Sequence, residues 1–152
     1  MDIATLLSPD RVVLGLRVAG KAALLAELAR RIAPAAGLEP AEIATALAAR
    51  EQLGSTGLGR GFALPHARLA GLSGFVGLFA RLAAPVAFEA VDGAPVDLVF
   101  LLLTPADAGG GHLAALAAIS RRLREEPVAA GLRAASSPQD AYRLLAQPGP
   151  AQ

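Results

Sequence analysis

The sequence predicts an α/β layered domain, and three observations carry that expectation. Some segments alternate apolar and polar residues as strands do, and others between them carry apolar residues at helical spacing. A third, residues 96–103, is apolar almost without a break, as a central strand covered on both faces would be. Strands interleaved with helices imply layers. With 152 residues, the chain has the length of a single domain spanning 1–152, with an ordered core at about 6–146. Strand order and direction are not legible at this level.

Each element has its own signal. Residues 10–18 alternate through Val12, Leu14, Leu16 and Val18 and predict a strand. Residues 21–32 place Leu24, Leu25, Leu28 and Ile32 on one helical face, and Arg30 and Arg31 suit that helix's last turn. Gly37 stops it, and Pro40 opens a second helix that buries Ile43 and Leu47 and ends at Gly54. Residues 54–61, Gly-Ser-Thr-Gly-Leu-Gly-Arg-Gly, read as a loop. Residues 62–64 follow as a short strand that Pro65 ends, and residues 75–82 form the next strand. Three glycines, Gly109 to Gly111, precede a long helix over 112–126 with Leu113, Leu116, Ile119 and Leu123 inward. A last helix begins at Ser137-Pro138 and ends near Ala146, with residues 147–152 as a frayed tail.

Composition excludes several function classes. There is no cysteine, so disulfides, thiolate metal sites and cysteine nucleophiles are out. Fourteen basic against 13 acidic residues leave a net charge of +1, which argues against a nucleic-acid binder. The longest uncharged apolar run, residues 98–103, falls far short of the roughly 20 residues a membrane span needs. No basic segment followed by an apolar run opens the chain. The expectation is a cytoplasmic protein that neither inserts into membranes nor binds nucleic acid.

Only two histidines are present, His66 and His112. A lone histidine is more often structural than functional, but both stand in unusual surroundings. His66 follows Pro65 and a segment with four glycines in eight residues. His112 follows three glycines at a helix start, where free amides attract anions. The glycine segment matches neither nucleotide fingerprint. Arg60-Gly61 stand where a P-loop needs lysine and Ser/Thr, and Phe62 replaces the third glycine of G-x-G-x-x-G. It is either a plain turn or a nest whose amides, with the Ser55 and Thr56 hydroxyls, cradle an anion. No zinc spacing and no G-x-S-x-G elbow occurs, so no metal or other cofactor is expected.

A histidine phosphoryl acceptor fits best. Near pH 7 imidazole is mostly neutral and keeps a lone pair for attack, and a phosphorylated ring nitrogen passes the group on readily. Arginine supplies a permanent forked charge for phosphate oxygens.

The stretch Leu53-Gly54-Ser55-Thr56-Gly57-Leu58-Gly59-Arg60-Gly61-Phe62-Ala63-Leu64-Pro65-His66 resembles the enzyme IIA proteins of the bacterial phosphotransferase system, fructose/mannitol type. Pro85-Val86-Ala87-Phe88, Val91-Asp92, Pro95-Val96-Asp97-Leu98-Val99-Phe100, Thr104-Pro105-Ala106-Asp107 and Gly111-His112-Leu113 extend the resemblance over residues 6–146. Within the family the chain is most similar to the nitrogen-regulatory branch.

The resemblance implies a mixed sheet of about five strands with helices on both faces, and a phosphoryl group carried on His66. His112 would support that group and Arg50 would hold its oxygens. Ser55, Thr56 and Gly57 would lie in the phosphate-binding loop. Leu58, Arg60, Phe62, Arg68 and Leu69 are the expected docking residues. Arg68 stands where lysine or a small residue is more usual, and the glycine run would loosen the loop before His112. The implied donor is a histidine phosphocarrier protein of the nitrogen branch. The implied targets are regulated proteins such as potassium transporters or sensor kinases. Two alternatives stay open: a sugar-transport enzyme IIA serving a IIB domain, and a non-phosphorylated binding module of the same fold.

Overall fold

The computed structural model describes residues 2–147, so the expected frayed tail lies, but for Gln147, outside the described residues. Two short 3-10 turns precede β1 (Val12–Leu16), α1 (Lys21–Ala36) and α2 (Pro40–Gln52). Then come β2 (Gly57–Gly59), β3 (Phe62–Ala63), β4 (His66–Leu69), β5 (Val76–Val86) and β6 (Val96–Pro105). Three helices close the chain: α3 (Gly110–Arg124), α4 (Glu126–Ala134) and α5 (Pro138–Ala146). No described helix is long and apolar enough to cross a membrane.

The sheet is mixed and has six strands, in the order β1-β5-β6-β3-β2, with β4 also paired to β6. β5 and β6 run antiparallel at its centre, while β1 lies parallel to β5. β3 and β4 share one side of β6, both parallel to it, at Leu98–Val99 and at Leu102–Pro105 respectively. Successive β6 residues alternate faces. Val99, Leu101 and Leu103 join the core under α1 and α2. Leu98, Phe100 and Leu102 join the core under α3, α4 and α5. The domain therefore has three layers, as the continuous apolar run of β6 predicts.

Several expectations need correction. α1 continues to Ala36 with Pro34 inside it, so Arg30 and Arg31 are not in its last turn; both instead pair with Glu27. Gly37 still caps that helix in the left-handed conformation, its amide donating to the Ala33 carbonyl. Val12, Leu14, Leu16 and Val18 do not share one face. Gly15 adopts φ +77° where the β1 register shifts, and Leu16 and Val18 turn to the opposite layer from Val12 and Leu14. Strands form on both sides of Leu64-Pro65, because these two residues keep backbone bonds: Leu64 donates its amide to the Thr56 carbonyl, and the Pro65 carbonyl accepts from the Leu102 amide. Gly110 and Gly111 lie inside the first turn of α3 rather than in a loop before it. In α3 the buried residues are His112, Ala115, Ile119 and Leu123, while Leu113 is 66% exposed. The Ala115-Ile119-Leu123 stripe sets the helix phase and carries His112, not Leu113, inward. Helix α4 is not among the elements expected from the sequence.

Arg81 on β5 fastens α4. Its Nη1 donates to the carbonyls of Leu132, Arg133 and Ala135 at 3.0, 3.2 and 2.7 Å, satisfying groups that the helix end leaves unpaired. Replacing Arg81 with Met is expected to destabilise the fold by about 2 kcal/mol, the scale of a charged hydrogen bond. A urea midpoint lowered at constant slope shows this, and an unmoved midpoint refutes it.

Candidate active-site cleft

The site forms where the two helical layers meet at the sheet edge. In a parallel pair, facing residues share a side of the sheet, so His66, opposite Leu102, lies on the α3 face. β4 pairs only with β6, so its outer edge is open. Around that edge the end of α2 brings Arg50, and from the other layer the start of α3 brings His112. Arg50, His66, Arg68 and His112 line a cleft of about 350 Å³ whose apolar wall includes Ala49 and Leu53.

The backbone fixes the His66 ring. Leu64 precedes a proline, and its carbonyl accepts from His66 Nδ1 at 2.8 Å. A carbonyl only accepts, so Nδ1 carries the ring proton and Nε2 keeps its lone pair. Arg50 Nε donates to that Nε2 at 3.2 Å, and Arg50 Nη1 donates to the Gly54 carbonyl at 3.0 Å. Both bonds demand the same tautomer. Burial pushes the His66 pKa below its usual value and the Arg50 charge adds to this, against opposition from the Leu64 carbonyl and Glu51. The ring is thus neutral at pH 7, with its nucleophilic atom beside a guanidinium.

The His112 ring lies 5.5 Å from the His66 ring, centre to centre, tilted by 58°. Its Nδ1 meets the hydroxyl of buried Thr104 at 2.7 Å. Burial lowers its pKa too, joined by repulsion from Arg68, His66 and Arg50. Among the described residues no group of three or more His, Cys, Asp or Glu could hold a metal ion.

The glycine segment is not an open anion nest. Gly57–Gly59 and Phe62–Ala63 form a hairpin whose turn residues, Arg60 and Gly61, have φ +57° and +85°. Ser55 Oγ donates to the Phe88 carbonyl at 2.7 Å and accepts from the Gly57 amide at 3.0 Å. Thr56 donates its amide and its hydroxyl to Glu51. The Gly57 Cα lies against Ala90, where an added Cβ would come within 2.8 Å of the Ala90 Cα. The Ser55 and Thr56 hydroxyls are therefore committed within the protein, and Gly57 is closed off by Ala90.

Glu51 stands outside the set of site residues expected from the sequence. Its buried carboxylate also meets Lys21 at 3.0 Å, tying the start of α1 to the end of α2 and to the glycine segment. The signal was the pair Arg50-Glu51 just before a Ser-Thr, one charge for the cleft and one for the segment behind it.

The expected docking residues divide. Phe62 and Leu69 are only 1% and 5% exposed, because alternation turns both into the cores, so neither can form a rim. Leu58 is half-buried. Arg60 is exposed but lies beyond Phe62, which pairs with Leu98, four positions along β6 from the partner of His66. At about 3.3 Å per residue that is about 13 Å from His66, and Arg60 is farther still. Arg68 is exposed and lines the cleft. The exposed apolar side chain that lines the cleft is instead Leu53, at 84%; Leu113, 66% exposed, follows His112 in the chain.

Two histidines and two arginines thus share a cleft on an edge strand of a three-layer mixed sheet, the arrangement that characterises this fold. Comparison with known proteins specifies it. Residues 5–147 match the family described as "Phosphoenolpyruvate-dependent sugar phosphotransferase system, EIIA 2", and the chain belongs to that family. It is 45% identical over 148 residues to a nitrogen regulatory protein of Bradyrhizobium diazoefficiens, covering 97% of each chain. It is 40% identical over 102 residues to a fructose-specific EIIA component of Haloferax volcanii, covering 67% of this chain and 66% of that one. The crystal structure of the nitrogen regulatory protein IIA-Ntr from Neisseria meningitidis superposes with a TM-score of 0.90 at 37% identity, covering 94% of this chain and 98% of that one.

Proposed function

We propose that residues 1–152 act as one domain, a cytoplasmic regulatory phosphocarrier that takes a phosphoryl group on His66 Nε2. The observation that carries this reading is the tautomer of His66, with Nδ1–H held by Leu64 and the Nε2 lone pair beside Arg50. In the step, Nε2 attacks the phosphorus of a donor phosphohistidine. The new P–N bond forms as the donor's P–N bond breaks, and the donor ring leaves with the electron pair. His66 keeps its Nδ1 proton on the Leu64 carbonyl, so the phosphorylated ring carries positive charge and remains a good leaving group. Arg50 moves from Nε2 to the phosphoryl oxygens, and His112 faces them from the opposite layer. Such transfer relies on positioning and charge stabilisation.

The donor is a histidine phosphocarrier protein of the nitrogen branch, whose phosphoryl group comes from phosphoenolpyruvate. The phosphorylation state of His66 then controls partner proteins, potassium transporters or sensor kinases among them. The names of the relatives from Bradyrhizobium and Neisseria support this reading. The fructose-specific relative supports a second one, transport coupling through a IIB domain. The test offers the protein carriers from both branches, then a sugar-specific IIB. Faster uptake from the nitrogen-branch carrier and no onward transfer to IIB support the regulatory reading. Rapid transfer to IIB replaces it with the transport one.

The donor docks on the rim of Leu53, Leu113 and Arg68. Arg68→Glu is expected to raise the KM for the donor about tenfold, as rim charges tune association. Arg60→Glu, at the far end of the hairpin, is expected to leave it unchanged. Equal effects of the two substitutions in a donor titration contradict this placement.

A further inference from the structure

His112 is held by a bond whose direction can be worked out. Thr104 follows Leu102 on the α3 face of β6 and is fully buried. Its hydroxyl has one hydrogen to donate, and among the described residues the one partner of Oγ1 is His112 Nδ1, at 2.7 Å. If Nδ1 carried a proton and donated to Oγ1, the hydroxyl hydrogen would be left unmet in an apolar interior, an expensive arrangement. The hydroxyl therefore donates and Nδ1 accepts. A neutral imidazole has a single N–H, so the proton of His112 sits on Nε2. No buried side-chain nitrogen or oxygen lacks a partner among the described residues. Among those residues Nε2 has none, so it opens onto the cleft it shares with His66.

The two histidines thus hold opposite tautomers. Leu64 keeps the proton of His66 away from the cleft, and Thr104 keeps the proton of His112 in it. We infer that Thr104 is a positioning residue for phosphoryl transfer: its hydroxyl fixes the proton of His112 on Nε2, as a ready donor to a phosphoryl oxygen on His66. The inference rests on the phosphocarrier reading and adds to it the device that sets the role of His112. With valine at 104 the ring would be free to place its proton on either nitrogen, and half the device would be lost. The His112 pKa lies below its usual value, so a second proton does not supply the donor at neutral pH.

The test compares Thr104→Val, which keeps the shape, with Thr104→Ser, which keeps the hydroxyl. Ring nitrogen shifts are read by two-bond proton–nitrogen NMR in the unphosphorylated protein. His112 is expected as the Nε2–H tautomer in wild type and in the serine variant, and as a mixture in the valine variant. His66 should stay Nδ1–H in all three, a check that the fold is intact. Transfer from the phosphorylated donor carrier is expected to slow about tenfold in Thr104→Val, the scale of one charge-assisted hydrogen bond, and to recover in Thr104→Ser. An Nδ1–H tautomer for wild-type His112, or an undiminished rate in Thr104→Val, overturns the inference. If wild type takes no phosphoryl group from either carrier, the phosphocarrier reading falls. The tautomer measurement then still decides whether Thr104 sets the His112 proton.

Discussion

His66→Ala is expected to take up no phosphoryl group, whereas the wild-type chain gains one, seen as an intact-mass shift under alkaline conditions. No other residue lining the cleft offers a neutral nitrogen with an unprotonated lone pair next to a guanidinium. Arg50 cannot deprotonate, and the accessible nitrogen of His112 carries its proton. The fold should survive, because the His66 ring is only half-buried and bonds to a carbonyl and to one arginine. The pH dependence follows from the lowered pKa. Protonation removes the lone pair, so uptake by wild type should hold down to a pH below the ordinary histidine value of about 6.5 and then fall. The same depression in both histidines links acid to stability. The unfolded chain takes up these protons first, so their contribution is complete above about pH 6.5 and declines as pH drops below it. A phosphorylated His66→Ala variant would move the acceptor elsewhere.

Arg50→Met is expected to slow transfer to His66 about 10²–10³-fold, the usual penalty for removing one preorganised donor from a site of developing charge. The reason lies in what Arg50 touches. Its Nη1 is anchored on the Gly54 carbonyl, which leaves Nε aimed at the nucleophile. When a phosphoryl group arrives, the guanidinium is already beside the acceptor atom and has only to shift from Nε2 to the phosphoryl oxygens. The extent of phosphorylation at long times should still reach one group per chain, because Nε2 survives. Arg50→Lys should fall between, since lysine keeps the charge but loses the fork that holds two partners together. A time course with rapid mixing separates rate from extent. An unchanged rate in Arg50→Met would assign the arginine to the architecture of the α2 end alone.

The layers were legible from the sequence because they follow from short-range periodicity. The β6 run, the α1 stripe and the Ser137-Pro138 start of α5 each declare themselves within a dozen residues. What escaped depends on long-range geometry. β4 follows a proline and is held by its partner β6, so no local pattern marks it. The phase of α3 is decided by how Ala115 and Ile119 meet the sheet, which a leucine at 113 cannot reveal. In the site, the histidines and Arg50 were visible through a motif. Phe62 and Leu69 were misplaced because alternation shows which residues share a face but not which face is covered. Glu51 and Thr104 were missed for a related reason. Each acts through a partner on another element of the fold, Lys21 in one case and His112 in the other.

The central claim is that Nε2 of His66 is the atom that bears the phosphoryl group. It is tested most directly by phosphorylating ¹⁵N-labelled protein with phosphoenolpyruvate, enzyme I and the carrier protein, then recording two-bond proton–nitrogen spectra of the histidine rings. The structure predicts a phosphorus-coupled Nε2 on His66, an Nδ1 that is still protonated, and a His112 ring that is unmodified. A phosphoryl group on His66 Nδ1, or on either nitrogen of His112, would contradict the account.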